Sequence, residues 1–248
     1  MKKSSLSAPA GIQVRNLTLH FGKQVIFDSL SFDIDSGSFV ALLGASGVGK
    51  TSLLRIIAGL ASPTSGTVCG SDGQPLTGRI AWMGQQDLLY PWLTVAENIT
   101  LAPRLRGEKV DQPWADSLLE RVGLAGKQAL LPAALSGGMR QRVAIARTLY
   151  QRQPIVLMDE PFSALDTVTR AKVQALASEL LSDHTVLLIT HDPMEACRLS
   201  HRLMTLSGHP AQITNTQVIA GTPPRAPDDP HLLYSQGKLL QQLMSAEA

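Results

Sequence analysis

Eight consecutive residues, Gly44-Ala45-Ser46-Gly47-Val48-Gly49-Lys50-Thr51, match the pattern GxxxxGK[ST] that cradles the phosphates of a nucleotide. The glycines let successive backbone N–H groups turn inward around phosphate oxygens. A helix opening at the end of the loop adds about half a positive charge there. Lys50 neutralises the outer phosphates, and Thr51 offers a hydroxyl to Mg²⁺. Such a loop needs an acid at a strand end to complete the metal site. Asp159 fits, at the tip of the wholly apolar run Ile155 to Met158. Glu160 follows it directly. Two adjacent carboxylates at a strand end project differently and can divide the labour. Asp159 holds Mg²⁺ through water, and Glu160 polarises the attacking water as general base. These two motifs are common to many P-loop ATPases, GTPases and small kinases.

A second anion site lies far along the chain, in Leu135-Ser136-Gly137-Gly138-Met139-Arg140-Gln141-Arg142. Ser136 can cap the helix that follows, and Gly137-Gly138 leave its first N–H groups uncovered. One nucleotide hardly needs two such sites in one chain. A head-to-tail pair of chains does, with each second site closing over the ATP held by the other.

The elements that must position these groups follow from periodicity. Ile12 to Phe21 alternates with a phase slip at Arg15-Asn16, which reads as a bulged strand. Phe27 to Ile34 alternates too, and Phe39 to Leu43 is a short apolar strand that stops at Gly44. Lys50 to Leu60 reads as a helix ended by Gly59 and Pro63. Thr67 to Cys69 and Arg79 to Met83 are short strands around a Gly-rich turn. Helical stretches follow at Val95 to Leu101, opened by the capping pair Thr94 and Glu97, and at Trp114 to Val122. A helix runs from Ser136 to about Tyr150, and another from Thr167 to Leu181. Thr185 to Ile189 is a buried strand ending at Thr190-His191, and Asp192-Pro193-Met194-Glu195 opens the next helix. Strands near Leu203 and at Ile213 to Ile219 finish the core. A Pro-rich linker, Thr222 to Pro230, leads to a last helix with Leu232, Leu233, Leu240 and Leu243. Strands alternating with helices point to an α/β fold with a parallel sheet.

Bulk properties agree. The 248 residues are 44% hydrophobic and 17% charged, enough for a sizeable core and unlike a disordered chain. Net charge is +2, with no basic run, so nucleic acid is not the implied partner. Cys69 and Cys197 stand in no metal-binding spacing and read as two reduced core thiols. No apolar run reaches the roughly 18 residues of a membrane span, and residues 1–11 lack the apolar core of a signal peptide.

The octet LSGGMRQR resembles the signature of ATP-binding-cassette (ABC) ATPases, and IVLMDEPFSALD resembles their Walker B motif and D-loop. The motifs run in the family's order from about Ile12 to Ile219. The resemblance implies a P-loop NTPase core with an antiparallel β subdomain and a helical subdomain. It implies a tail at 1–11, the ATPase domain at 12–222 with helices at about 86–150, and a linker and helix at 223–248. It implies that Phe21 stacks on adenine and that the loop from Gly44 through Lys50, Thr51 and Ser52 wraps ATP. Gln85 is then the Q-loop residue that reaches Mg²⁺ and the water. Ser136 and Gly138, with Gly137 between them, contact the γ-phosphate across the dimer. Asp166 lies in the D-loop at that interface, and His191 is the switch histidine. Taken singly, Phe21 reads as core, Gln85 as a polar loop residue and His191 as a residue at a helix start. Ala45 stands where many relatives have proline. Gly84 stands where an aromatic often precedes the Q-loop glutamine, and spacing to Pro91-Trp92 favours Gln85 over Gln86 in that role.

The segment Leu88 to Val95, then Glu97-Asn98, resembles the permease-contacting part of importers of the nitrate, sulfonate and taurine type. Met83 to Leu89 is also similar to ATPases of hydroxymethylpyrimidine (thiamine-precursor) importers, which makes a thiamine pyrimidine precursor the expected cargo, with nitrate, sulfonate or taurine as the alternative. The expected assembly is a homodimer or paired ATPase subunits on the cytoplasmic face of the inner membrane. Integral permease subunits hold it there, and an external substrate-binding protein acts indirectly. Soluble ABC ATPases of DNA repair or translation usually carry a long coiled-coil insertion or two tandem cassettes, and the sequence shows neither.

Overall fold

The computed structural model describes residues 10–246, with side chains through residue 241. Two sheets organise it. A three-stranded antiparallel sheet has the order β2-β1-β4, from β1 (Ile12–Phe21), β2 (Gln24–Ile34) and β4 (Ser65–Gly70). A six-stranded sheet has the order β5-β6-β7-β3-β8-β9. It is built from β3 (Phe39–Leu43), β5 (Ile80–Met83), β6 (Ile155–Asp159), β7 (Thr185–Ile189), β8 (Arg202–Ser207) and β9 (Gln212–Val218). All neighbours there are parallel except β9, which runs antiparallel to β8. Every residue of β3, β6 and β7 is buried, which is why these strands are apolar throughout rather than alternating.

Helix α1 (Lys50–Ile57) follows β3. Between the two sheets it shares a core with Phe27, Leu42, Leu157 and Ile189. The other face of the large sheet is covered by helices. These are α2 (Val95–Ile99), α4 (Gln112–Arg121), α5 (Gly137–Tyr150) and α6 (Thr167–Leu180), around Leu118, Ile145, Met158 and Leu188, with α3 (Leu101–Arg106) beside α2. Helix α7 (Pro193–Leu199), backed by α8 (Pro230–Ala246), packs on Ala41 and Leu43 of β3 and Leu203 of β8.

Several boundaries differ from the sequence expectation. The slip in β1 is a register shift between Val14 and Leu17, with Asn16 at φ 48°. Strand β2 begins at Gln24, three residues earlier than expected, because it continues the hairpin with Phe21. Helix α1 stops at Ile57 rather than Leu60. Gly59, at φ 72°, lets the Leu60 N–H return to the Arg55 carbonyl and close a Schellman turn. The strands expected around one turn, β4 and β5, do not pair with each other. One joins β1 and the other joins β6. The helix expected over Val95 to Leu101 breaks after Ile99, and α3 starts anew with Pro103 in its first turn, where no N–H is needed.

Ala10 and Gly11, placed in the tail by sequence, already have partners. The Thr185 hydroxyl donates to the Ala10 carbonyl, and Gly11 N–H donates to Ser71. The rest of that tail, 1–9, and the side chain of Leu243 lie outside the described residues. Helix α8 packs on its own chain, with Leu232 and Leu239 buried against Ala196, Cys197 and Ile219. Arg225, in the linker, is buried and donates to five carbonyls, those of Cys197, Ser200, Ile219, Ala220 and Gly221. Both cysteines are free; Cys197 is core, as expected, but Cys69 is only partly buried.

Candidate functional site

The loop between β3 and α1 is shaped by glycine where no other residue fits. Gly47 and Gly49 sit at φ 80° and 108°. A Cβ on Gly49 would stand 2.8 Å from Ile26 Cγ2 and 2.9 Å from the Phe27 ring, and one on Gly44 would strike the Leu206 carbonyl. Lys50, at the first turn of α1, folds over this loop and donates from Nζ to the carbonyls of Gly44 and Ala45, each at 2.8 Å. Burial pulls its pKa down, while Glu160 and Asp159 push it back up. A cleft of about 260 Å³ opens here, lined by Ser46, Gly47, Gly49, Lys50, Thr51, Ser52, Gln85, Asp159 and Glu160.

The two acids reach the cleft because β6 lies two strands from β3 and runs parallel to it, so both strands end on one rim. Asp159 is buried, and the Thr51 hydroxyl donates to its Oδ2 at 2.7 Å. Burial raises the Asp159 carboxyl above the usual range, opposed by the Thr51 hydrogen bond and reinforced by Glu160. A hydroxyl and a carboxylate side by side, both hard oxygens, fit Mg²⁺, which keeps waters and takes substrate phosphates as further ligands. Among the described residues no group of three or more His, Cys, Asp or Glu is placed to hold a metal alone.

Glu160 has left-handed backbone, φ 48°, held by its N–H on the Ile189 carbonyl at 2.9 Å. Non-glycine residues in that region store on the order of 1–3 kcal/mol of strain, and the turn aims the carboxylate at the cleft. Its Oε2 receives Gln85 Nε2 at 3.4 Å and lies 3.2 Å from His191 Nδ1. Gln85 lines the cleft and Gln86 does not. The space where an aromatic at position 84 would begin is filled by Trp82, whose ring lies 2.7 Å from the Cβ that Gly84 lacks. Phe21 is not core. It stands at the tip of β1, 59% exposed, and is not part of the cleft lining.

The helix cap expected at Ser136 forms. Ser136 caps α5 by accepting the Met139 N–H at 3.3 Å, and Asp166 caps α6 by accepting that of Thr169 at 3.0 Å. Neither they nor Gly137 and Gly138 line the cleft of their own chain. A Cβ on Gly137 would meet nothing nearer than Arg140, at 3.8 Å, so the start of α5 is open.

Sequence reasoning missed how α5 holds the segment after Gln85. Arg140 pairs with the Asp87 carboxylate at 3.0 Å, and Arg147 donates to the carbonyls of Asp87 and Leu88 at 2.6 and 2.8 Å. Fifty or more residues separate these partners, so no local spacing announces them. Beyond them, buried Asn98 bonds the backbone of Tyr90, Leu93 and Thr94 and shapes a loop. On it Tyr90 and Trp92 stack edge to face at 5.5 Å, with Trp92 70% exposed.

By sequence Glu195 only helps to open α7, as the glutamate at its third position, and the structure gives it another place. It sits at the third position of α7, yet only 5% of it is exposed, and burial pushes its carboxyl up to about 7. The folded protein therefore keeps a proton there that the unfolded chain gives up near 4.5. Stability from this group is complete below about 4.5 and falls as pH rises to about 7. Glu195→Gln has no such proton to lose. Its thermal midpoint, relative to the parent, should therefore improve between about pH 5 and about pH 8. A difference in midpoint that ignores pH would refute that coupling.

Comparison with known proteins adds the following. Residues 27–163 match the family model described as ABC transporter. An uncharacterized ABC transporter ATP-binding protein of Haemophilus influenzae is 42% identical, across 94% of this chain and 98% of that one. The aliphatic sulfonates import ATP-binding protein SsuB 1 of Pseudomonas syringae pv. syringae is also 42% identical, across 91% and 93%. Among solved structures, the chain is similar to the dimeric, post-hydrolysis ATP-binding cassette MJ0796 bound to ADP and Pi. The TM-score there is 0.76 at 30% identity, covering 85% of this chain and 99% of that one.

Proposed function

The chain belongs to the ABC transporter family of ATPases, and on that premise we propose that it is the motor of an importer for aliphatic sulfonates. It hydrolyses ATP and couples hydrolysis to transport. The ATPase domain spans 12–222, with its helical subdomain at about 86–150 and a C-terminal linker and helix at 223–248.

One observation carries the chemistry: the Glu160 carboxylate, met by Gln85 and His191, faces a cleft floored by Lys50, Thr51 and Asp159. Lys50 and the loop N–H groups from Gly44 to Thr51 hold the outer phosphates, and Phe21 stacks on adenine. Thr51, Asp159 and Gln85 would hold Mg²⁺, which neutralises phosphate charge when bound. Glu160 takes a proton from the water whose oxygen attacks the γ-phosphorus. The bond to the β–γ bridging oxygen breaks, and ADP leaves with that electron pair. His191 donates to the γ-phosphate. Ser136, Gly137 and Gly138, with Asp166 beside the interface, come from the second copy of a head-to-tail homodimer.

ATP adds contacts that exist only in the closed dimer, so its binding shifts the population toward closure. The Tyr90–Trp92 loop passes that movement to a membrane permease, which keeps the motor on the cytoplasmic face. No helix among the described residues is long and apolar enough to cross a membrane.

For cargo, the support is the identity to the sulfonate import ATPases; the relatives compared above lend none to a thiamine precursor. In vesicles carrying the complete complex, an alkanesulfonate with its binding protein should stimulate phosphate release and accumulate inside. Nitrate and hydroxymethylpyrimidine should do neither. Stimulation by the pyrimidine but not by the sulfonate would overturn the cargo and leave the ATPase reading intact.

A further inference from the structure

We propose that Glu195 is a positioning residue for His191, fixing from behind the short loop that carries the imidazole. The inference rests on His191 acting in hydrolysis. The His191 side chain is 67% exposed, and the contact that aims it is the one to Glu160 at 3.2 Å. An exposed ring with one such contact is held in place chiefly by its backbone.

That backbone is held from within. Thr190, His191, Asp192 and Glu195 line one cavity, and the Thr190 hydroxyl oxygen accepts the Asp192 N–H at 3.0 Å. The Glu195 N–H donates to Asp192 Oδ1 at 3.4 Å, so the residues on both sides of His191 are tied to each other and to the start of α7, beside one buried acid. The acid itself is anchored on α6, where Gln174 Nε2 donates to its Oε2 at 3.0 Å. Gln174 is fixed in turn by Arg198 of α7, at 2.6 Å. Arg170 of α6 approaches Asp192 at 3.8 Å and grips the Leu165 carbonyl.

The orientation of Glu195 is informative. An acid at the third position of a helix ordinarily reaches back to the N–H of the capping residue. Here that N–H, from Asp192, goes to Thr190 instead, and the Glu195 carboxylate turns into the core. Glu160, His191, Arg170 and Glu195 all line one cavity of about 60 Å³. Burying a carboxyl costs desolvation that packing alone does not require. Its place between α6 and the loop of His191 gives it a task that packing does not explain.

Steady-state ATP hydrolysis by the full chain tests this with Glu195→Gln, which keeps shape, and Thr190→Val, which removes the hydroxyl that accepts the Asp192 N–H. Each should lower kcat by about tenfold with KM for ATP nearly unchanged, as small misplacements of a reacting group do. In a His191→Ala background, Glu195→Gln should add less than about a twofold effect, because both act through one imidazole. A kcat unaffected by Glu195→Gln, or lowered equally in both backgrounds, would overturn the proposal while leaving the histidine's role standing. Full activity in His191→Ala alone would remove that role, and this inference with it.

Discussion

Glu160→Gln should reduce turnover of ATP by at least roughly 10²-fold while leaving ATP binding and ATP-driven dimerisation in place. The amide has the shape of the acid but no basicity, so the attacking water loses its proton acceptor. Little else should change. The left-handed turn at this residue is held by backbone bonds to Ile189 and Ser163, which the substitution does not touch. Lys50 loses one nearby negative charge but keeps its two loop carbonyls and Asp159. Phosphate release measured beside light scattering checks both halves. A variant that hydrolyses ATP normally would remove Glu160 from the role of base. One that cannot form ATP-bound dimers would show that its charge serves closure instead.

The second large effect concerns the site proposed to be shared by two copies of the chain. Lys50→Ala removes the phosphate cation, and Gly138→Asp puts a carboxylate where the partner's γ-phosphate should dock. Each homodimer should lose nearly all activity, at least roughly 10²-fold, because both of its sites carry the defect. A Cβ at Gly138 would stand 3.4 Å from the Ala164 carbonyl, so the fold of Gly138→Asp is checked by its thermal midpoint before its activity is read. Mixed dimers are different. One of their two sites combines an intact phosphate loop with an intact signature, and the other carries both lesions. If subunits exchange freely, half the dimers are mixed, and activity should return to about a quarter of the parent's. Titrating one inactive variant with the other measures this. Absence of any recovery would mean that each chain completes its own site.

The parts of this site written in contiguous residues were readable without coordinates. Gly44 to Thr51 needed only glycine permissiveness and a following helix to announce a phosphate site. Asp159-Glu160 needed only an apolar strand before them. The strands β3 and β7 and the start of α5 fell where their patterns put them, because burial on both faces and a serine cap are local signals. Reading failed where pairing partners are distant. β4 and β5 are short and locally alike, and only the two sheets waiting for them decide which joins which. The break after Ile99 likewise came from packing rather than from a strong stop signal.

The sequence by itself determined the phosphate-loop chemistry and, through the resemblance of its motifs, the family, since these rest on residue types at fixed short spacings. Tertiary structure alone decided that Gln85 and His191 meet at one oxygen of Glu160. It alone turned Glu195 inward, and it alone tied Asp87 to Arg140 and Arg147 across more than fifty residues. The physical reason is the same throughout. Hydrogen bonds and ion pairs act over about 3–4 Å in space, whatever the separation along the chain. A sequence pattern registers only those whose partners lie within a turn or two of each other.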